Sequence, residues 1–125
     1  MPGALWTYAS GINNHGNIVL FWSTGDGRPV ESSIYNGKTY KTINVPGADS
    51  STAEDLANSG DVSYLWWDSK FHYHGALFHG GKYTKFDFPK SVQTYGRGIN
   101  DHHVLVGGYE AKTNGPVRGY KATYK

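Results

Sequence analysis

The chain contains no cysteine and a single methionine. Without thiols there can be no disulfide staple and no thiolate metal site, so any stability must come from packing. No apolar run approaches the length of a membrane span, and nothing near Met1 has the basic, apolar and small-residue order of a signal peptide, so a soluble chain is expected. Motifs for catalysis are also missing. There is no G-x-S-x-G nucleophile turn and no glycine-rich phosphate loop. Asp26, Asp61, Asp68, Asp87 and Asp101 offer no spacing that selects a pair of carboxylates for glycosidic chemistry. A non-enzymatic protein is the expectation, with no cofactor and no metal.

What the chain has instead is glycine, tyrosine and tryptophan in abundance, the composition of short strands joined by tight turns. Net charge is only +2, but residues 1–62 carry three basic against six acidic side chains and residues 63–125 nine against four. Such asymmetry suits an anionic partner or attraction between neighbouring copies, although a solvated surface accounts for it as well.

The dominant feature is a repeat. Ile12, Ile18 and Trp22 recur as Leu56, Val62 and Trp66, then as Ile99, Leu105 and Tyr109, at intervals of 44 and 43 residues. YNGKTYKTINVPGA, Tyr35 to Ala48, returns as FHGGKYTKFDFPKS from Phe78 to Ser91, and Pro2, Pro46 and Pro89 keep the same register. A fixed period of this length marks a solenoid, propeller or similar array. The chain divides into repeats 2–45, 46–88 and 89–125 of one repeat domain spanning 1–125.

Each repeat reads as a four-stranded meander. In the first, strands are expected at Trp6 to Ile12, Ile18 to Trp22, Glu31 to Tyr35 and Tyr40 to Val45, with tight turns at Asn13-Asn14-His15-Gly16 and Asn36-Gly37. Ile18 to Trp22 is apolar on both faces and must lie between two layers. The second repeat places strands at Val62 to Trp67, His74 to Phe78 and Tyr83 to Phe88. Its opening strand conflicts with a local signal, because Ser51-Thr52-Ala53-Glu54 matches a helix capping box; the register argues for a strand. The third repeat has strands at Thr94 to Ile99, Leu105 to Tyr109 and Val117 to Lys125 and lacks a fourth. His103 stands where Gly16 and Gly60 do, which implies a strained or different turn.

Blades of this kind form propellers of about four to eight, so three are too few to close. The expected fold is all-β, a β-propeller of three blades of about 43 residues, closed as a six-bladed ring by homodimerisation. A β-trefoil also uses three four-stranded repeats and stands as the alternative, but its barrel and cap need every strand, whereas a blade tolerates an absent outer strand.

Candidate binding residues follow from that geometry. The turns between the first and second strands of successive blades come to one rim, placing Asn14, His15, Asn58, Ser59, Asp101 and His102 in a repeated polar ring able to bind a repetitive ligand through avidity; as simple turns, the same residues would satisfy local backbone. Trp6 and Trp67 do not recur in the repeat and could stack on sugar rings or partner side chains. His72 and His74 share one face of a strand and could serve as metal ligands only if a third group approached, and His74 is equally a structural residue. His102 and His103 point apart if extended. Lys82, Lys85, Lys90 and Arg97 beside aromatics raise a nucleic-acid reading, disfavoured because basic residues also blunt an edge strand.

The segments Gly11 to Val19, Asn44 to Ala48, His74 to Phe78 and Gly98 to Gly107 resemble the repeats of the bacterial extracellular HAF family, whose copies carry GIN-x-x-G-x-IVG, H-[AG]-F-L and a D/N-x-P-G-A close. Glu31 and Arg118 replace the blade histidine, and Val19-Leu20 and Ser63-Tyr64 fall where IVG would bring a glycine. The resemblance implies a secreted or surface bacterial propeller with no catalytic residues to carry over. The expected function is a non-catalytic binding or interaction module for a glycan or protein ligand, or else a purely structural repeat module or fragment of a larger propeller.

Overall fold

The computed structural model describes residues 1–125 and contains eleven strands and no helix. They are β1 (Trp6–Ile12), β2 (Ile18–Ser23), β3 (Glu31–Tyr35), β4 (Tyr40–Thr42), β5 (Ser50–Leu56), β6 (Val62–Trp67), β7 (Tyr73–His79), β8 (Lys82–Phe86), β9 (Gln93–Ile99), β10 (Val104–Glu110) and β11 (Val117–Thr123). Sequence neighbours pair antiparallel throughout, giving the sheets β1-β2-β3-β4, β5-β6-β7-β8 and β9-β10-β11. Each sheet corresponds to one repeat, and the third has no fourth strand.

Glycine and asparagine make the hairpins. Gly16 and Gly60 adopt φ +79° and +95°, the left-handed geometry these turns require. At the equivalent place in the third repeat His103 itself takes φ 60°. The turn is therefore the same one, held in a conformation that costs a non-glycine residue on the order of 1 kcal/mol.

The sheets stack so that the first strand of one lies over the middle strands of the one before: β5 packs on β2 and β3, and β9 on β6 and β7. No comparable packing joins the first sheet to the third. Between the first two sheets lie Val19, Ile43, Val45, Ala53, Leu56, Val62, Tyr64 and Ala76. The Tyr64 hydroxyl, wholly buried there, donates to the Ile43 carbonyl at 2.7 Å. The Ser32 hydroxyl adds a polar tie, donating to Ser51 O and accepting from Ala53 N, each at 2.9 Å. These bonds explain why Ser50–Leu56 is a strand and not a helix: the segment's backbone is paired on one side by β6 and met on its face by the first sheet.

Two expected strands are shorter than the pattern suggested. Tyr40 to Val45 is a strand only over Tyr40–Thr42. Asn44 Oδ1 takes the Ser32 N–H at 2.7 Å in place of a ladder carbonyl, and Ile43 and Val45 turn inward between the sheets. In the second repeat the strand stops at Phe86, and Phe88 leaves the sheet to lie flat on Tyr109, ring centroids 3.7 Å apart and planes 9° apart.

Candidate functional site

The residues proposed for binding fall on two opposite rims. On one, Asn14, Asn58 and Asp101 link the sheets in sequence. Asn14 N–H donates to Asn58 Oδ1 at 2.6 Å, and Asn58 in turn donates its N–H and its Nδ2 to the two carboxylate oxygens of Asp101, each at 2.7 Å. One backbone N–H per turn thus reaches the side chain of the next turn, 44 and then 43 residues on. Local backbone is satisfied by different residues: Asn13 Oδ1 accepts from His15 N and Asn17 N, Asn100 Oδ1 from His102 N and Val104 N, and Ser59 Oγ from Asp61 N. His15 and His102 project into solvent. The rim surrounds a cleft of about 280 Å³ lined by Ile12, Asn14, Asp55, Asn58, Ile99 and Asp101.

Trp6 and Trp67 belong to the other rim, since Trp6 pairs with Ser23 at the start of β1 and Trp67 with Ser50 at the end of β6. Trp6 sits in an aromatic group with Tyr8 and Phe21, centroids 5.7 and 6.3 Å away. Trp67 packs edge-on against Tyr73 and, with exposed Phe71, Arg28, Pro29, Asp49 and Ser50, lines an open groove of about 430 Å³ between the first two sheets. Phe71 holds φ 61°, an uncommon backbone conformation for a bulky residue, and its ring is exposed.

Sequence reasoning missed two histidine clusters. In the first, His74 places Nδ1 2.7 Å from Asp87 Oδ1 and Nε2 3.0 Å from Asp68 Oδ2, while its ring stacks on Trp66 at 4.3 Å. Burial alone would disfavour the imidazolium, but the two carboxylates outweigh it and raise the His74 pKa. Asp68 is pushed down to about 2, chiefly by its bond to His74 and then by the N–H groups of His72 and Lys70. Both ring nitrogens of His74 are engaged by carboxylates, and His72, weighed with it as a possible metal pair, lies exposed beside Asp68, His74 and His72 being 3.0 and 3.9 Å from that carboxylate. The four basic residues considered for nucleic acid are partly committed as well: Arg97 pairs with Glu54 at 3.2 Å, and Lys85 Nζ lies 4.6 Å from the Trp66 ring centroid.

The second cluster lies between the second and third sheets. His79 Nδ1 is 2.9 Å from Asp61 Oδ2, Tyr124 donates its hydroxyl to the same oxygen at 2.6 Å, and His103 stacks on Tyr124 with centroids 4.6 Å apart. Asp61 is buried; desolvation would raise its pKa, but hydrogen bonds from Tyr124 and His79 prevail and hold it below the ordinary value. One ligand atom each from Asp61, His79 and His103 fits within 4.8 Å of the others, the donor set of an N/O metal site. The three residues are far apart in sequence. The available signal was His103 in a glycine position.

Compared with family models, curated proteins and solved structures, the chain matches none.

Proposed function

We propose that the chain is half of a six-bladed β-propeller, completed by a second copy, and that it serves as a non-catalytic binding module of a secreted or surface bacterial protein, in line with the HAF-type repeats it resembles. The ring closure is supported by what happens to one register position at the two ends of the stack. Leu56 is 4% exposed under the first sheet, whereas its counterpart Ile12 is 66% exposed. On the opposite faces Val19 and Ser63 are 0% and 1% exposed, and Val106 is 46% exposed. Ile99, the third member of the first position, is partly covered under the second sheet, so these positions are covered fully or in part where a neighbouring sheet exists and bare where none does. The hydrogen-bond relay ends in the same way, with the Asn14 carboxamide unclaimed at one end and the Asp101 N–H at the other. A second copy offering its first sheet to the third sheet of this one would cover both faces and continue the relay, and two-fold symmetry would repeat the contact.

For the binding role, the supporting observation is the groove containing Trp67 and Phe71. Aromatic faces beside Arg28, Asp49 and Ser50 suit a sugar, whose apolar ring face stacks while its hydroxyls bond to polar neighbours. Polysaccharide binding on a broad glycan array, lost in Trp67→Ala with the fold retained, is the expected result. Silence across such arrays would favour the purely structural module, a reading favoured by one observation: the side chains of Asn58 and Asp101 are already engaged between sheets.

A further inference from the structure

We infer that Asp61, His79 and His103 form a binding site for a divalent transition ion of the zinc class, clipping the third sheet to the second. Asp61 and His79 come from the ends of the second sheet's strands and turns, and His103 from the hairpin of the third. Two imidazoles and a carboxylate are the ligand types that zinc takes in tetrahedral sites, with the fourth position left to water. Ligand atoms about a tetrahedral zinc lie roughly 3.3 Å apart at bonds of about 2.0 Å. The spread here is no more than 4.8 Å, so a contraction of at most about 1.5 Å would bring the ligand atoms to that spacing. The Tyr124 hydroxyl on Asp61 Oδ2 orients the carboxylate, as outer-sphere donors do in metal sites.

The repeat supplies the independent argument. At the junction of the first two sheets the three equivalent positions are Asn17, Asn36 and Gly60, none of them a strong transition-metal ligand. At the next junction all three have changed, to Asp61, His79 and His103, and each change is toward a ligand. One of them also carries a backbone cost, since His103 occupies the φ 60° position that glycine fills in the other two turns. A residue kept in a strained conformation is explained when its side chain has work there, and its imidazole ring lies 5.2 Å from that of His79. Tyr124 touches all three residues, stacking on His103, meeting the edge of His79 and bonding to Asp61; a metal accounts in addition for the convergence of one ligand atom from each on a single point.

The test is titration of chelator-treated full-length protein with Zn²⁺ by calorimetry, and with Co²⁺ by visible absorption. One ion per chain is expected, with a rise in melting temperature and the d–d bands of four-coordinate cobalt. His103→Gly restores the residue of the other repeats and removes the positive-φ strain, so it should fold at least as well while losing at least about tenfold in affinity. His79→Asn, again the repeat's own residue, should do the same, and His72→Asn should bind as wild type. Failure of the wild-type protein to bind Zn²⁺, or binding undiminished in both His103→Gly and His79→Asn, would overturn the site.

Discussion

Gly96→Ala isolates the stacking of the third sheet on the second. Gly96 lies in β9 beside the bulge at Arg97, but its φ is not left-handed, so its need for glycine is a matter of space. A methyl group there would sit 2.0 Å from the Tyr64 carbonyl oxygen and 2.9 Å from the Tyr64 carbonyl carbon, with Gly75 Cα at 3.6 Å. Because those atoms are backbone of the central strands β6 and β7, with Tyr64 fully buried, they cannot swing aside, and the sheets must separate by roughly 1 Å to restore normal contact. That movement also strains the Ser63 hydroxyl bond to Arg97 O, now 2.7 Å. Overpacking of this kind costs about 1–3 kcal/mol, and losing the hydrogen bond adds about 1 kcal/mol. For a domain of this size the melting temperature should fall by on the order of 10 °C. Thermal unfolding followed by circular dichroism at fixed protein concentration measures it. Gly119→Ala serves as control, because a methyl group there meets nothing closer than 3.9 Å and should leave stability unchanged or slightly improved. A Gly96→Ala protein melting with the wild type would show that the sheets do not stack as described.

Other expectations are independent of that one. Gly16→Val should destabilise by about 1 kcal/mol or more, because a β-branched residue resists φ +79°, and urea midpoints would register it. Tyr64→Phe removes a buried hydroxyl from Ile43 O and should cost about 1–2 kcal/mol, with the same assay showing no change if the carbonyl finds another donor. The His74 cluster makes stability depend on pH with a definite sign. His74 has its pKa raised above 6.5, so its contribution is full below that value and is lost as pH rises through the raised one; Asp68, lowered from 3.8 to about 2, contributes above 3.8 and is lost as pH falls toward 2. Melting at about pH 5 should therefore exceed melting at about pH 9, and His74→Gln should shrink the difference. An equal difference in the variant would assign the pH dependence elsewhere.

Much of the architecture is legible in the sequence because the repeat pins it. The register placed β1, β3 and β6 at their observed bounds and favoured a strand over the capping-box signal at Ser51 to Glu54, where contacts from Ser32 in the neighbouring sheet decide the outcome. The absent twelfth strand was equally plain. Less visible were the ends of β4 and β8, since alternation continues through Ile43 and Val45, and through Phe86 and Phe88, after the chain has left the ladder to fill the space between sheets. The candidate rim was located but its chemistry was not. Asn58 reads as a turn residue in one dimension, and only the stacking of the sheets makes its carboxamide the acceptor for a turn 44 residues earlier. Asp61, His79 and His103 belong to no spacing motif for the same reason, as the contact between sheets brings them together.

Solution mass tests the central claim most directly. Light scattering coupled to size exclusion, run across a range of concentrations, should give twice the 13.8 kDa of the chain, and Val106→Glu, which places a charge on the bare face of the third sheet, should convert it to the single-chain mass without loss of strand content. A well-folded, monodisperse monomer of the unaltered chain at high concentration would contradict a ring closed by two copies.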